Sequence, residues 1–126
     1  MGIYYCDMIT EEQAAAFGRD WIDAWNRHDL DAILAHYDDA VVFCSPFVVK
    51  IAGEASGILH GKTRLRAYFA EALKKYPDLN FTDLRAHAGV SSVTLTYRSV
   101  AGLHAAEVMA LNPAGRVVRV DAHYAR

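Results

Sequence analysis

Three side chains of this chain have the chemistry needed for proton transfer, namely His36, Glu107 and Asp121. A histidine exchanges a proton near neutral pH, and a carboxyl group removed from water keeps its proton to a higher pH than usual. Both properties suit general acid–base catalysis, in which a positioned side chain gives a proton to a reacting group or takes one from it. These residues are therefore the candidate catalytic residues.

His36 follows a short apolar stripe that contains Ile33 and Leu34, close in sequence to a helix with two tryptophans. One interpretation is an acid–base residue beneath the indole rings. The other is a side chain that caps the carboxyl end of its own helix, where a hydrogen-bond donor is favourable. The pattern favours the capping interpretation.

Glu107 is the only acidic residue in an otherwise apolar segment, residues 105–111. If it faces the interior, burial raises its pKa and prepares it for proton transfer. Met109 and Leu111 share its strand face, so a solvent-facing or dimer-interface Glu paired with an arginine is an equal alternative. Tyr97 is expected to point inward, where its hydroxyl either orients a ligand carbonyl or bonds a backbone group.

Asp121 and His123 lie two residues apart on the last predicted strand, so they share one of its faces. They could form an acid–base pair. Without a β-bulge, however, this face is opposite to that of Val120, Ala122 and Tyr124, which places Asp121 on the convex surface. A surface pair or an interface contact is therefore the favoured interpretation.

Aromatic residues from several predicted elements are placed to enclose a cavity. Trp21 and Trp25 lie one helical turn apart on the same helix face. Trp21 is expected in the core, whereas Trp25 is as well suited to a ligand surface. We expect a largely apolar cavity of roughly a few hundred Å³ that binds a small, neutral, ring-containing molecule. Its predicted lining residues are Trp25, Tyr37, Phe43, Phe69 and Tyr97.

Three helices are predicted in the first part of the chain, at residues 10–27, 29–37 and 61–76. The capping-box sequence Thr-Glu-Glu-Gln opens the first helix, and an aspartate caps the second. Pro77 ends the third, because proline cannot supply the helical hydrogen bond.

Strand patterns surround the third helix and fill the rest of the chain. The apolar segment at residues 47–57 is interpreted either as a cover over the mouth of the cavity or as a plain extension of the preceding strand. The strands are predicted at residues 40–44, 57–60, 79–87, 90–99, 103–111 and 116–124.

Four motifs accompany this order of elements. They are W-x-x-A-W-N-x-H-D-L-D at residues 21–31, H-Y-D-D-x-V-x-F-x-S-P at 36–46, G-x-L-x-G-K-x-x-L-R-x-Y at 57–68 and G-R-V-V-R at 115–119. Together they resemble the NTF2-like superfamily, especially its SnoaL-like, polyketide-cyclase-like branch. The resemblance covers nearly the whole chain.

The resemblance implies a single α+β domain over residues 1–126, an NTF2-like cone in which three helices lie on the concave side of a strongly curved antiparallel sheet. It specifies the fold better than the activity, because similar cones serve as cyclases, isomerases, hydrolases, dehydratases and binding domains. In SnoaL-like cyclases a catalytic Asp lies on the last strand, and a gap-free count from Gly115 puts Ala122 at that position. The expected acid–base residue of the family is therefore missing.

Two classes of function remain open at this point. The first is a cofactor-independent cyclase, isomerase or hydratase that acts by acid–base chemistry on an apolar carbonyl compound. The second is a non-catalytic domain that binds a hydrophobic small molecule or serves as a dimerising scaffold. A homodimer is expected through the convex face of the last strands, where Met109, Leu111 and Val117 would form an apolar patch.

Composition argues against several other partners. With 13 Lys and Arg against 15 Asp and Glu, the net charge of −2 lacks the basic stripe of a nucleic-acid-binding protein. The six histidines show no HxH or HExxH spacing, and Cys6 and Cys44 form no CxxC motif, so reduced thiols and no metal or cofactor are predicted. No signal peptide or long apolar run is present, so we expect a cytoplasmic protein without a membrane partner.

Overall fold

A computed structural model describes residues 8–126 of the chain. Helices and strands alternate in its first half, and strands dominate the second. The helices are α1 (Glu11–Asn26), α2 (Leu30–Leu34), α3 (Pro46–Ala52) and α4 (Lys62–Lys75), with one 3₁₀ turn at Val100–Gly102. The strands are β1 (Tyr37–Cys44), β2 (Ile58–His60), β3 (Thr82–Ala88), β4 (Ser92–Arg98), β5 (His104–Leu111) and β6 (Val117–Ala125).

The six strands form one curved, open sheet in the order β2-β1-β6-β5-β4-β3. Strands β3 to β6 pair antiparallel with their neighbours, which confirms the predicted meander. Strand β1 pairs parallel with β6, which differs from the expected all-antiparallel sheet. Parallel strands need a long connection rather than a tight hairpin, and residues 45–116 supply it between β1 and β6.

Local caps explain why the first two helices start where they do. Thr10 Oγ1 accepts a hydrogen bond from the Gln13 backbone N–H at 3.0 Å, and the Gln13 side chain accepts from the Thr10 N–H at 2.9 Å. Asp29 caps α2 by accepting from the Ala32 N–H at 3.1 Å. Gly18 lets α1 lie close to the sheet, because a Cβ there would be 3.1 Å from a methyl group of Leu95.

The apolar segment after β1 is a helix, so the alternative of a plain strand extension is wrong and the helices number four rather than three among residues 8–126. Ser45 is its N-cap, Pro46 occupies its first turn and Gly53 ends it in the left-handed conformation with φ of 68°. A Ser-Pro pair can therefore end a strand and begin a helix with the same two residues.

The inner faces of the strands and the helices enclose the apolar core. Met109 and Val117 are completely buried there, and Leu111 is half-buried. The expected apolar patch of these three residues on the convex face is therefore wrong. On β5 the same alternation that buries Met109 also turns Ala105 and Glu107 inward, so this strand face belongs to the core.

The structure also bears on the predictions about the cysteines, a membrane span and a metal site. Cys6 lies outside them, and Cys44 is a free, partly buried thiol. Within residues 8–126 no helix is long and apolar enough to cross a bilayer. In the same range no group of three or more His, Cys, Asp and Glu side chains is arranged to hold a metal ion.

Candidate functional site

A partly open cavity of about 50 Å³ lies between the inner face of the sheet and helices α1, α3 and α4. Its lining comes from elements that are far apart in sequence, as the aromatic pattern predicts. Trp25, Tyr37, Phe43, Phe69 and Tyr97 all line it, together with Glu107.

The free volume is well below the few hundred Å³ expected from the sequence. Aromatic rings fill the difference by packing against one another. The ring centroids of Trp25 and Phe69 are 4.8 Å apart, and those of Phe81 and Tyr97 are 4.7 Å apart. A cavity of roughly 150 Å³ holds benzene, so a ring-containing ligand needs side chains at the mouth of this cavity to move.

The mouth of the cavity is formed by side chains that keep partial contact with solvent. Phe47 and Ile51 reach it from α3, which matches the interpretation of this segment as a cover. Tyr76 at the end of α4 and Tyr124 on β6 complete the rim. The ring of Phe47 packs edge-on against that of Tyr124 with centroids 4.7 Å apart, so this contact closes one side of the opening.

Glu107 is the only acid among the described residues that line the cavity, and its side chain is almost completely buried. The alternative of a solvent-facing Glu paired with an arginine is therefore wrong. The Tyr97 hydroxyl donates a hydrogen bond to Glu107 Oε2. Burial raises the pKa of Glu107 to about 7, and the bond from Tyr97 partly opposes this rise because it stabilises the charged form.

Of the tyrosines that line the cavity, four are close enough to Glu107 to feel its charge: Tyr37, Tyr68, Tyr97 and Tyr124. Burial, followed by the negative charge of Glu107, raises the pKa of each hydroxyl above its ordinary value. The four phenols therefore stay protonated at any pH at which Glu107 titrates. They can act as hydrogen-bond donors in the cavity but not as bases.

The register of the sheet gives Glu107 a specific place. Glu107 on β5 lies directly opposite Ala122 on β6, and both side chains point inward. Directly opposed residues in antiparallel strands have Cβ atoms about 5 Å apart. A carboxyl group thus occurs one strand away from the position where the sequence motif implies an aspartate.

His36 does not line the cavity and instead contacts residues of α1. Its Nδ1 is 3.1 Å from the carbonyl oxygen of Ile33, and its Nε2 is 2.8 Å from Asp20 Oδ2. The ring of Phe17 packs edge-on against the imidazole. Both nitrogens are thus occupied, and the contact with Ile33 is the helix-capping arrangement that the sequence favoured.

Asp121 lies on the convex face, as strand alternation predicts. Its carboxylate is 3.1 Å from Arg119 Nε, and its side chain is 41% exposed. The guanidinium group of Arg119 also approaches Cys44 Sγ at 3.6 Å. The sheet therefore separates Asp121 from the cavity, and the three candidate catalytic residues do not meet in one site.

Tyr68 and Tyr124 also line the cavity, although the sequence analysis did not name them as site residues. Two signals point to them. Strand alternation already puts Tyr124 on the same face as Val120 and Ala122. Tyr68 lies three residues after Leu65, which places both on the buried side of α4.

Comparisons with known proteins agree with this geometry. The model of the SnoaL-like domain family matches residues 18–125. A SnoaL-like protein of unknown function from Burkholderia thailandensis E264 is 51% identical, with 94% of this chain and 99% of that chain covered and a TM-score of 0.90. No curated protein matches the chain.

More distant solved structures show the fold alone. A candidate ketosteroid isomerase from Kribbella flavida DSM 17836 is 20% identical, with 92% of this chain and 80% of that chain covered and a TM-score of 0.70. A candidate isomerase of the SnoaL-like family from Agrobacterium tumefaciens C58 is 16% identical, with coverage of 91% and 99% and a TM-score of 0.72.

Proposed function

The chain belongs to the SnoaL-like domain family, and we propose that it is a cofactor-independent enzyme that moves a proton on a small carbonyl compound, with Glu107 as the acid–base residue. The observation that carries this proposal is the buried carboxyl group of Glu107, which is the one acid lining the cavity among residues 8–126. Burial raises its pKa to about 7. At neutral pH such a group is present in both protonation states, which is the optimum for general acid–base catalysis.

The position of Glu107 supports the same proposal. The family resemblance implies an acid at the position of Ala122, and Glu107 lies directly across the ladder from that residue. Inward-facing carboxyl groups at either of these two opposed positions would reach the same part of the cavity. The side chain of glutamate is also longer than that of aspartate, so it extends further from its strand. Glu107 thus compensates for the missing aspartate of β6.

The proposed reaction is an enolisation. The Glu107 carboxylate removes a proton from the carbon next to a substrate carbonyl, the electron pair moves to the carbonyl oxygen, and the carboxylic acid then returns the proton to the same or another carbon. Tyr97 is a positioning residue, because its hydroxyl fixes one carboxyl oxygen and leaves the other for the substrate. No cofactor is required for this chemistry.

Deuterium exchange tests the proposal without knowledge of the natural substrate. Cyclopentanone is incubated with the protein in D₂O, and the loss of its α-proton signal is followed by NMR. Glu107→Gln is expected to lower the enzyme-dependent exchange rate by about 10² to 10⁴, the usual contribution of a general base. Asp121→Asn is the matched control, because it makes the same chemical change on the convex face and should leave the rate unchanged.

The alternative function is non-catalytic binding of a small hydrophobic molecule, which the small volume of about 50 Å³ favours. An enzyme must admit and release its substrate repeatedly, whereas a binding domain can hold one compact ligand. If cyclopentanone binds but exchanges no faster than in buffer, the binding function is preferred. If the Glu107→Gln and Asp121→Asn proteins exchange at the wild-type rate, Glu107 is not the base.

A further inference from the structure

The cavity contains a buried hydrogen-bond donor that the protein does not use. The indole Nε1 of Trp25 is fully buried and has no hydrogen-bond partner among residues 8–126. The Trp25 side chain is only 6% exposed and lines the cavity. Native proteins leave few buried donors without an acceptor, so such a group calls for a functional explanation.

The neighbouring indole shows the normal arrangement and makes the difference informative. Trp21 lies one turn earlier on α1, and its Nε1 donates to the Tyr37 hydroxyl at 3.0 Å. The Trp25 indole also opposes the rise of the Tyr37 pKa that burial causes, but no hydrogen bond joins Trp25 Nε1 to this hydroxyl. The two indoles thus lie in similar surroundings, but among residues 8–126 only the Trp21 N–H has a hydrogen-bond acceptor.

The Tyr37 hydroxyl adds a second donor at the same place. A phenol has one proton to donate and can accept through its lone pairs. One lone pair of the Tyr37 oxygen accepts from Trp21, and no acceptor for the Tyr37 proton is found in the described part of the chain. Trp25 N–H and Tyr37 O–H are therefore two adjacent donors on the cavity wall.

We propose that Trp25, assisted by Tyr37, recognises the acceptor oxygen of the ligand, so that this site selects small neutral compounds with a carbonyl group over hydrocarbons of the same shape. The inference deepens the proposed function and rests on it for the identity of the site. A neutral ligand is specified because Glu107 and the apolar walls both disfavour an anion in this cavity. The size of the cavity restricts the ligand to a compact molecule.

Proton–nitrogen correlation NMR of the two indole groups tests the inference directly. The chain has two tryptophans, so the spectrum has two indole signals, and Trp25→Phe assigns them. The probes are cyclopentanone and methylenecyclopentane, which share a shape but differ in the acceptor oxygen. Cyclopentanone is expected to shift the Trp25 N–H proton downfield, whereas methylenecyclopentane should not. The Trp21 signal is the internal control, because its proton already has an acceptor.

The affinities of the variant provide the second part of the test. Trp25→Phe is expected to weaken cyclopentanone binding about two- to tenfold, the usual effect of one net hydrogen bond, and to change methylenecyclopentane binding by less than twofold. Equal weakening for both probes would show that Trp25 only packs against the ligand and would overturn the inference. If Trp25→Phe does not fold, the two indole signals are assigned in the wild-type protein by triple-resonance NMR, and the shift of the Trp25 signal decides.

The outcome also separates this inference from the proposed function. Binding of cyclopentanone with Glu107-dependent exchange but a stationary Trp25 signal overturns the role of Trp25 and leaves the acid–base proposal intact. A shifted Trp25 signal without exchange supports the recognition role and overturns catalysis. A protein that binds neither probe at their solubility limits overturns both.

Discussion

Glu107 keeps its proton near neutral pH because the sheet places its carboxyl group among four tyrosines and apolar rings rather than in water. The hydrogen bond from Tyr97 stabilises the charged form, but desolvation is the larger influence. The same surroundings keep the phenols protonated. At the scale of single residues, the site therefore has one group that titrates near pH 7 and several that only donate.

The raised pKa of Glu107 predicts a pH-dependent stability. Between its ordinary value of 4.5 and about 7, the folded protein binds this proton more tightly than the unfolded chain does. Raising the pH through this window therefore favours unfolding, with a loss on the order of 3 kcal/mol that is complete above pH 7. Urea unfolding at pH 4.5 and pH 8 should show this loss in the wild-type protein and not in Glu107→Gln. Asp121→Asn should retain it, and an identical loss in Glu107→Gln would contradict the assignment.

Removing the Tyr97 hydroxyl should raise the pKa of Glu107 further. Tyr97→Phe deletes the hydrogen bond that lowers this pKa and leaves the burial of the carboxyl group in place. The pH at which enzyme-dependent exchange of cyclopentanone reaches half its maximum should therefore move upward. A Tyr97→Phe profile that moves downward, or does not move while the protein remains folded, would show that Tyr97 does not control Glu107.

The sequence identified Glu107 as a candidate but left its orientation open. Two apolar neighbours, Met109 and Leu111, share its strand face, and an apolar face can belong to a core or to an interface. The side of the sheet on which the helices pack decides between them, and that packing involves residues distant in sequence. His36 and Asp121 were more predictable, because their capping and alternation patterns are local.

Helix α3 lines the entrance to the cavity. Its N-cap, Ser45, is buried and accepts from the Phe47 N–H at 3.2 Å. Phe47 then packs on Tyr124 and Tyr76, so the first turn of α3 touches the rim on two sides. The fold thus places a short helix with one large side chain at the mouth of the cavity.

Truncation of Phe47 should open the cavity at a moderate cost in stability. Phe47→Ala removes a partly buried ring, so we expect a loss of about 1 to 3 kcal/mol, below that of a fully buried phenylalanine. Larger cyclic ketones such as cyclooctanone should then bind more tightly than to the wild-type protein. Val49→Ala on the same helix is the control, because Val49 is 45% exposed. Urea unfolding and NMR titration measure both effects, and equal results for the two variants would argue against a gating role.

The helix at Pro46–Ala52 also shows where element prediction fails. Long periodic segments such as α1 and α4 were predicted within a few residues, because their apolar stripes and caps agree. Helix α3 has seven residues, too few to show a helical period, and its Ser-Pro start directly follows the strand predicted at residues 40–44, so the pair is equally typical of a strand end. The capping function of Ser45 was the signal that pointed to a helix.

At the scale of the whole molecule, the sheet has helices on one face and leaves the other uncovered by the described residues. The convex face carries Val108, Thr94 and Asp121 at opposed positions on three neighbouring strands. Neither the sheet order nor the size of the cavity could be read from the sequence, since both depend on how all elements pack together. Local patterns establish which residues face inward, but not how much space remains between them.

A homodimer through the convex face remains a prediction, although its expected apolar patch is absent. Val108 is the large apolar side chain exposed on that face of β5, at 38% exposure. Sedimentation equilibrium should give a dimer mass for the wild-type protein and a monomer mass for Val108→Lys. Val90→Lys, at an exposed turn, is the control and should remain dimeric. A wild-type monomer at all concentrations would contradict the prediction.

The proposed acid–base role of Glu107 can be measured from the titration of its carboxyl carbon. The chain has five glutamates, so carbon-13 labelling of their carboxyl groups gives five signals, and Glu107→Gln identifies the one that matters. If Glu107 is the acid–base residue, this signal is expected to titrate with a midpoint of about 7. A midpoint near the ordinary value of 4.5 would show that Glu107 is ionised and hydrated in the folded protein, and it would contradict the proposed acid–base role.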